Sequence, residues 1–278
     1  MAAPDSISRL LDRVGMRAKT FHTGTLCGLH MFAADEGVGH LHVIREGVLR
    51  ALQTGHPAMA LRAPALVFYP RPLDHRLEIE EPAGAHLLCA SVQYGAGMEN
   101  AITRSFPSVM VIPFDAQRSV GLTLTLLFEE AAQAHTGRQV MLDRLCDVLL
   151  IQIVRFAIER KLVARGILAG LAHPRLARVL GEVLDAPGHP WTIGQMAMRA
   201  HLSRNGFACQ FREVIGMTPG GFVGALRVAH AQRLLRQGRP IGLVSQDVGY
   251  SGQPAFSRAF LRETGVSPSA WARRAMAD

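Results

Sequence analysis

No stretch of about 18 uncharged apolar residues occurs in this 278-residue chain, so no membrane-spanning helix is expected. The first residues lack the apolar core of a secretion signal, because Asp5, Arg9, Asp12 and Arg13 interleave with Leu10 and Leu11. Cysteine is sparse: Cys27, Cys89, Cys146 and Cys209 show no tight CxxC spacing. The expected setting is the cytoplasm, where such thiols stay reduced unless they serve a switch. Lysine is missing from residue 173 onward. What remains is a chain longer than one ordinary domain, with 49% hydrophobic residues to fill sizeable cores.

Charge is placed unevenly. Residues 173–278 hold 13 arginines against 6 acidic residues, a net +7 of the chain's +8. Residues 1–172 hold 17 basic and 16 acidic side chains and are nearly neutral. A GC-rich coding bias would enrich arginine throughout rather than in one segment. Basic charge gathered in one segment is the electrostatic footprint of duplex binding, and guanidinium groups suit both phosphates and guanine edges.

The same segment carries an internal repeat. Phe207, Phe211, Gly216 and Pro219 recur 49 positions later as Phe256, Phe260, Gly265 and Pro268. Phenylalanines at i and i+4 share one helix face, the Gly fits a helix C-terminus with positive φ, and the Pro prevents continuation. Ahead of the first copy, Thr192 and Gln195 form a capping box, Ile193, Met196 and Ala197 an apolar stripe, Ala200-His201-Leu202 a turn, and Ser203 an N-cap. Ahead of the second, Ile241 and Val244 supply the stripe, Val248-Gly249-Tyr250 the turn, and Ser251 the cap. The upstream offset is 48, so the second helix is expected to hold one more residue before its Phe. Helix, tight turn and capped second helix is the helix-turn-helix plan. A joining helix over Pro219 to Gln237 carries Phe222, Leu226, Ala229, Leu234 and Leu235 between the two units.

On these residues the segment from about 173 to 275 resembles the DNA-binding domain of the AraC/XylS family of bacterial transcription regulators. The resemblance extends to Val-Gly-Tyr-Ser at 248–251, Phe-Ser-Arg-Ala-Phe at 256–260 and Gly-Val-Ser-Pro at 265–268. It implies double-stranded DNA and RNA polymerase as partners, and activation rather than repression. In helix-turn-helix proteins the N-terminal part of the second helix enters the major groove. The outward positions are Arg204, Asn205, Ala208 and Cys209 in the first unit, and Gln253, Pro254, Ser257 and Arg258 in the second. Ala208 and Cys209 are small, so the first unit is expected to read fewer bases, through Arg204 and Asn205. Arg212, Arg262, Arg273 and Arg274 suit phosphate contacts or a solvated face.

The N-terminal half alternates short apolar runs with Gly and Pro up to about residue 113, as in Leu41-Val43-Ile44, residues 65–68 and residues 87–92. Closely spaced short strands suggest a barrel or sandwich. Two helical tracts follow, Leu122 to Leu127 and Leu142 to Phe156, around a break at His135-Thr136-Gly137. They suit an antiparallel hairpin whose apolar surface serves a dimer seam, packing on the barrel, or both on different faces.

His40, His42 and Glu46 stand at even spacing, so an extended strand aims all three to one face, and His75 follows a Pro-rich turn. Imidazoles with a carboxylate suit a first shell for Zn, Fe or Mn; equally, His42 and His75 can line a small-molecule pocket without metal. The spacing resembles the two cupin motifs, with Ala63 and Pro72 where framing glycines normally stand. Cys27 and Cys89 form a rival sensor, since a thiolate near imidazoles binds metal or reacts with oxidants, provided barrel closure brings them together. Their placement resembles a cupin-bearing AraC subgroup that includes redox-responsive regulators. Cys89 is otherwise a plain buried thiol, Cys146 belongs to packing, and Cys209 faces toward DNA.

These readings combine into a two-domain α+β protein. Residues 1–165 form a cupin-like effector-sensing and dimerisation domain, a β-barrel with a helical hairpin. Residues 166–278 form an all-α double helix-turn-helix domain, with residues 161–175, including Gly166 and Gly170, as the hinge. The expected function is a sequence-specific DNA-binding transcription activator, a cytoplasmic homodimer whose barrel senses a small molecule, a metal or an oxidant. No catalytic residue is assigned, and the one cofactor considered is a divalent metal, Zn or Fe, at His40, His42, Glu46 and His75. The alternative is a metal-dependent, dioxygenase-like cupin enzyme tethered to DNA, supported by those four residues alone.

Overall fold

The computed structural model describes residues 7–8, 10–11, 15–34, 38–94, 102–114 and 117–275. The chain divides into two compact units. One is built from residues 16–94 and 106–162, the other from 163 onward with residues 102–105 and the described residues before 16.

The first unit strings together β1 (Arg17–Leu26), β2 (Gly28–Phe32), β3 (Val38–Glu46), β4 (Val48–Gln53), β5 (Met59–Arg62), β6 (Ala65–Tyr69), β7 (His75–Ile79), β8 (Ala85–Gln93) and β9 (Met110–Pro113). They pair antiparallel in two sheets, ordered β1-β8-β3-β6-β9 and β2-β7-β4-β5. Ile44, Val67, Tyr69, Leu87 and Cys89 from the larger sheet share one core with Leu49, Ala51, Leu61, Leu77 and Ile79 from the smaller. β7 alternates buried and exposed, as a strand with one solvated face must, whereas β6 is buried at every position. That is why β6 reads as an unbroken apolar run.

Two helices follow, α1 (Arg118–Ala131) and α2 (Arg138–Glu159), with the break at 135–137 where the sequence places it. Leu124, Leu127, Leu142, Cys146, Leu149 and Ile153 are buried, while Leu122, Leu126, Val148 and Ile151 are 59%, 55%, 44% and 37% exposed. The hairpin therefore has one face in the core and an apolar face in solvent. α2 also covers the free edge of β1. Asp147 and Asp143, one turn apart, accept from Ala18 N and Thr20 N at 2.8 Å each, and the Gln139 amide donates to Thr20 O at 2.9 Å. The helix thus supplies the acceptors that a further strand would have supplied, which removes an aggregation-prone edge. Among the described residues no helix is long and apolar enough to cross a membrane.

The second unit contains α3 (Ile167–Ala172), α4 (Ala177–Asp185), α5 (Ile193–Arg199), α6 (Arg204–Ile215), α7 (Pro219–Arg236), α8 (Ile241–Asp247), α9 (Gln253–Thr264) and α10 (Pro268–Ala275). The glycines expected in a hinge are packed inside this unit instead. Gly166 N donates to Val214 O at 2.9 Å, and a Cβ on Gly170 would lie 2.3 Å from Ile215 Cδ1. They serve close helix packing rather than flexibility.

The repeat is carried into three dimensions. Phe207 and Phe211 pack tilted with centroids 5.4 Å apart and Phe222 of α7 edge-on against Phe211 at 5.6 Å; Phe256 and Phe260 pack edge-to-face at 5.5 Å with Trp271 of α10 edge-on against Phe260 at 6.1 Å. All four repeat phenylalanines are at most 1% exposed, and each such burial is worth about 2–3 kcal/mol. Phe222 and Trp271 are themselves 49 positions apart, a third aromatic pair that extends the repeat. Gly216 and Gly265 close α6 and α9 with φ of 87° and 74°.

Candidate nucleic-acid interface and sensor cavity

The tips of α6 and α9 are set by their local sequence. Thr192 and Gln195 form a complete capping box at the start of α5, and Ser203 accepts from Gly206 N at 3.1 Å at the start of α6. α9 differs from the expectation. Its N-cap is Gly252, in extended backbone and without a side-chain cap, so Ser251 lies outside the helix. Both recognition helices consequently begin three residues before their first Phe, and the extra residue of the second copy sits in the turn rather than the helix. The turn residues His201 and Gly249 both adopt positive φ, 54° and 83°. At Gly249 only glycine fits, because a Cβ would lie 2.2 Å from the Gly188 carbonyl oxygen.

Arg204, Asn205 and Cys209 on α6 are exposed and Ala208 is half-buried; on α9, Gln253, Pro254 and Arg258 are exposed and Ser257 is half-buried. All eight candidate positions therefore reach solvent on the two helices. Sequence counting missed how the arginines divide. Arg227 is half-buried, donates to Pro187 O and His189 O at 2.9 Å each, and lies 5.5 Å over the Tyr250 ring. Burial lowers its pKa, as expected for a cation serving as an internal staple. Arg199 pairs with Glu182 and covers Trp191, and Arg236 covers Trp271. Arg227 and Arg199 are half-buried and tie the helical unit together, whereas Arg204, Arg212, Arg258, Arg273 and Arg274 are exposed, as is Arg236 over its ring.

In the first unit the strands bring His40, His42, His75 and Cys89 into one barrel interior, at 8%, 0%, 1% and 0% exposure. Glu46 does not join them. The β3–β8 register shifts between Ile44 and Glu46, and the Glu46 side chain is 71% exposed beside Arg45. A bulge of this kind turns the following side chain to the other face. The four-residue metal shell read from the sequence therefore does not assemble, and among the described residues no three His, Cys, Asp or Glu side chains are disposed to hold an ion.

The interior groups form a directional chain instead. His75 Nδ1 lies 2.7 Å from the Leu73 carbonyl, which can only accept, so this nitrogen carries the proton. Neutral His75 then offers its Nε2 lone pair to His42 Nε2 at 2.8 Å, which must donate. His42 Nδ1 is left as an acceptor for the Cys89 thiol at 3.1 Å. Burial lowers His42 well below the usual imidazole range and His75 to about 4, so both rings stay neutral. Burial likewise pushes the Cys89 thiol far above its ordinary value. Tyr69 stacks on His75 at 3.9 Å, and Phe32 covers the ring at 5.0 Å.

Cys27 is exposed in the turn after β1 and Cys89 is buried in β8. Strand register keeps them apart: Leu26 pairs with Ala85, whereas Cys89 pairs with His22. At ~3.3 Å per residue the two cysteines are more than about 13 Å apart, well beyond the ~7 Å Cα limit for a disulfide. The barrel does not bring this pair together. Cys146 is buried against Thr20 at 3.7 Å with its thiol pushed up to about 12, as a packing residue. Cys209 is exposed on α6.

Comparison with known proteins agrees with both halves. A cupin family model matches residues 5–159, more than half of the chain, and a helix-turn-helix domain model matches residues 196–274. The chain is 28% identical over 277 residues to the RCS-specific HTH-type transcriptional activator RclR of Escherichia coli K12, covering 97% of this chain and 98% of that one. It is 26% identical over 258 residues to the HTH-type transcriptional regulator MtrA of Neisseria gonorrhoeae, covering 84% and 82%. It is 32% identical over 184 residues to an HTH-type transcriptional regulator of Haemophilus influenzae, covering 66% and 61%. A cupin barrel followed by two matched helix-turn-helix units places the chain in the AraC family of DNA-binding transcription regulators.

Proposed function

We propose that this chain is a cytoplasmic transcription activator, working with RNA polymerase, that reads successive major-groove segments with α6 and α9 and is switched by its barrel. The observation that carries the DNA reading is the matched pair of helix tips, each fixed by its own aromatic core and each presenting polar side chains to solvent. Arg204 and Asn205 would read bases from α6, and Gln253 and Arg258 from α9, because these side chains pair with guanine and adenine edges. Arg212, Arg273 and Arg274 would contact phosphates. Activation is favoured by the full-length E. coli relative, itself an activator. Fluorescence anisotropy of the full chain tests the assignment. Arg258→Ala should weaken binding to a selected site by about 1–3 kcal/mol and non-specific binding much less; Arg212→Ala should weaken both alike and flatten the salt dependence. Equal losses for both variants would reassign Arg258 to the backbone.

The barrel is assigned to sensing and the exposed face of α1 and α2 to a homodimer. Leu122 and Leu126 with Val148 and Ile151 form an apolar stripe at helical spacing. Of the two cysteines assigned to the sensor, Cys27 is exposed and would be reached by an oxidant before Cys89. Cys89 would respond only after the barrel opens, because its neutral thiol donates to His42 inside a closed core. Isotope-coded alkylation after oxidant treatment separates the two: Cys27 should be protected before Cys89, and the reverse order would remove Cys27 from the sensor.

A further inference from the structure

Each helix-turn-helix unit carries a glycine at the second position of its first helix, Gly194 in α5 and Gly242 in α8. Glycine is a poor helix former, and neither residue adopts a positive φ that would require it. Both face the opening residue of the recognition helix that follows. A Cβ on Gly194 would stand 3.1, 3.3 and 3.5 Å from Nε, Nη2 and Cζ of Arg204, the first residue of α6. The Nε–Nη2 edge of the guanidinium is thus turned to the glycine, and Nη1 lies on the far side. In the second unit a Cβ on Gly242 would meet only Gln253 Oε1, at 4.0 Å, and Gln253 opens α9. The repeat therefore keeps the arrangement and loosens the fit. Among the described residues no hydrogen bond or ion pair holds the Arg204 side chain. What places its guanidinium is the bare α-carbon of Gly194, on a helix whose own start is fixed by the Thr192–Gln195 capping box.

We infer that Gly194 is a positioning residue for sequence recognition: it seats the Arg204 guanidinium against α5 before DNA arrives, with the Nη1 end left to meet a base edge. This role rests on the reading of Arg204 as a base contact. An exposed arginine already laid against the preceding helix has less rotamer freedom to lose on binding, and affinity for the right base rises accordingly. A methyl group at position 194 would push the guanidinium aside by a few tenths of an ångström, because the contact is tighter than ordinary van der Waals packing. A methyl group at position 242 makes an ordinary contact and displaces nothing.

Fluorescence anisotropy of the full-length chain, on a duplex selected by the wild type and on a scrambled duplex, tests the role with Gly194→Ala, Gly242→Ala, Arg204→Ala and the Gly194→Ala, Arg204→Ala double variant. Gly194→Ala should weaken binding to the selected duplex about three- to tenfold, a part of what one bidentate base contact discriminates. It should leave the scrambled duplex unchanged and keep or raise the melting temperature, since alanine is the better helix former. Gly242→Ala should match the wild type on both duplexes. In the Arg204→Ala background the change at Gly194 should add nothing, as a double-mutant cycle requires of residues acting through one contact. A loss that persists in that background would overturn the positioning role, as would an equal loss on the scrambled duplex or an equal loss from Gly242→Ala. Selected binding by Gly194→Ala at or above wild-type strength would also overturn it, and the base contact would still stand if Arg204→Ala alone weakened that binding. An Arg204→Ala chain that binds the selected duplex like the wild type would overturn both the base contact and the role that rests on it.

Discussion

Acidification should loosen the barrel in a window set by His75. Its ring is 1% exposed and stacked between Tyr69 and Phe32. Burial is the leading cause of its lowered pKa, with His40 adding to it and the Leu73 carbonyl opposing it. In the folded chain the ring titrates near 4, against 6.5 ordinarily. The unfolded chain therefore takes up the proton first, so the stabilisation is fully present above about pH 6.5 and is lost as pH falls toward 4. The depression corresponds to about 3 kcal/mol, a large share of the ~5–15 kcal/mol that holds a domain folded. His42 acts in the same direction. Urea melts of the wild type and a His75→Asn variant, followed by circular dichroism between pH 7.5 and 4, isolate the contribution by difference. The wild type should lose about 3 kcal/mol more than the variant over that interval, with about 2 kcal/mol already gone at pH 5. Parallel loss in the two proteins would refute the neutral-imidazole chain.

Three further outcomes follow from the packing. Gly249→Ala places a Cβ 2.2 Å from the Gly188 oxygen at φ 83°; it should cost about 2–4 kcal/mol in thermal melts and reduce duplex affinity with it. Asp143→Ala leaves the Thr20 amide, part-buried beneath α2, without its acceptor; a loss of about 1–3 kcal/mol is expected, and a neutral result would show that the helix does not cap the β1 edge. Leu126→Glu, at a position 55% exposed, should leave the melting profile unchanged yet shift the sedimentation coefficient from dimer to monomer; an unchanged coefficient would move the dimer seam elsewhere.

The helical unit was legible because its information is local. Paired phenylalanines, a capping box and glycines at αL positions each report on a few neighbouring residues, and the repeat shows the same pattern twice. The misplaced Ser251 cap shows the limit: the inserted residue lengthens the preceding turn rather than the helix, with Gly252 as the N-cap, and no local pattern records that choice. The barrel was legible as strands but not as a site. Even spacing puts His40, His42 and Glu46 on one face only in an unbroken strand, and the register shift after Ile44 breaks that rule. The distance between Cys27 and Cys89 is likewise a product of β1–β8 pairing. Asp143 and Asp147 carry no signal of their own in the sequence. Their one-turn spacing matches alternate free amides of β1, a relation visible only once helix and strand edge lie together.

The most direct measurement is a protection footprint of the full-length chain on duplexes selected from random sequence. The account predicts two protected major-groove segments about one helical turn apart, with Arg204→Ala weakening protection of one segment and Arg258→Ala of the other. Failure to enrich any sequence, or protection that both variants leave intact, would contradict it.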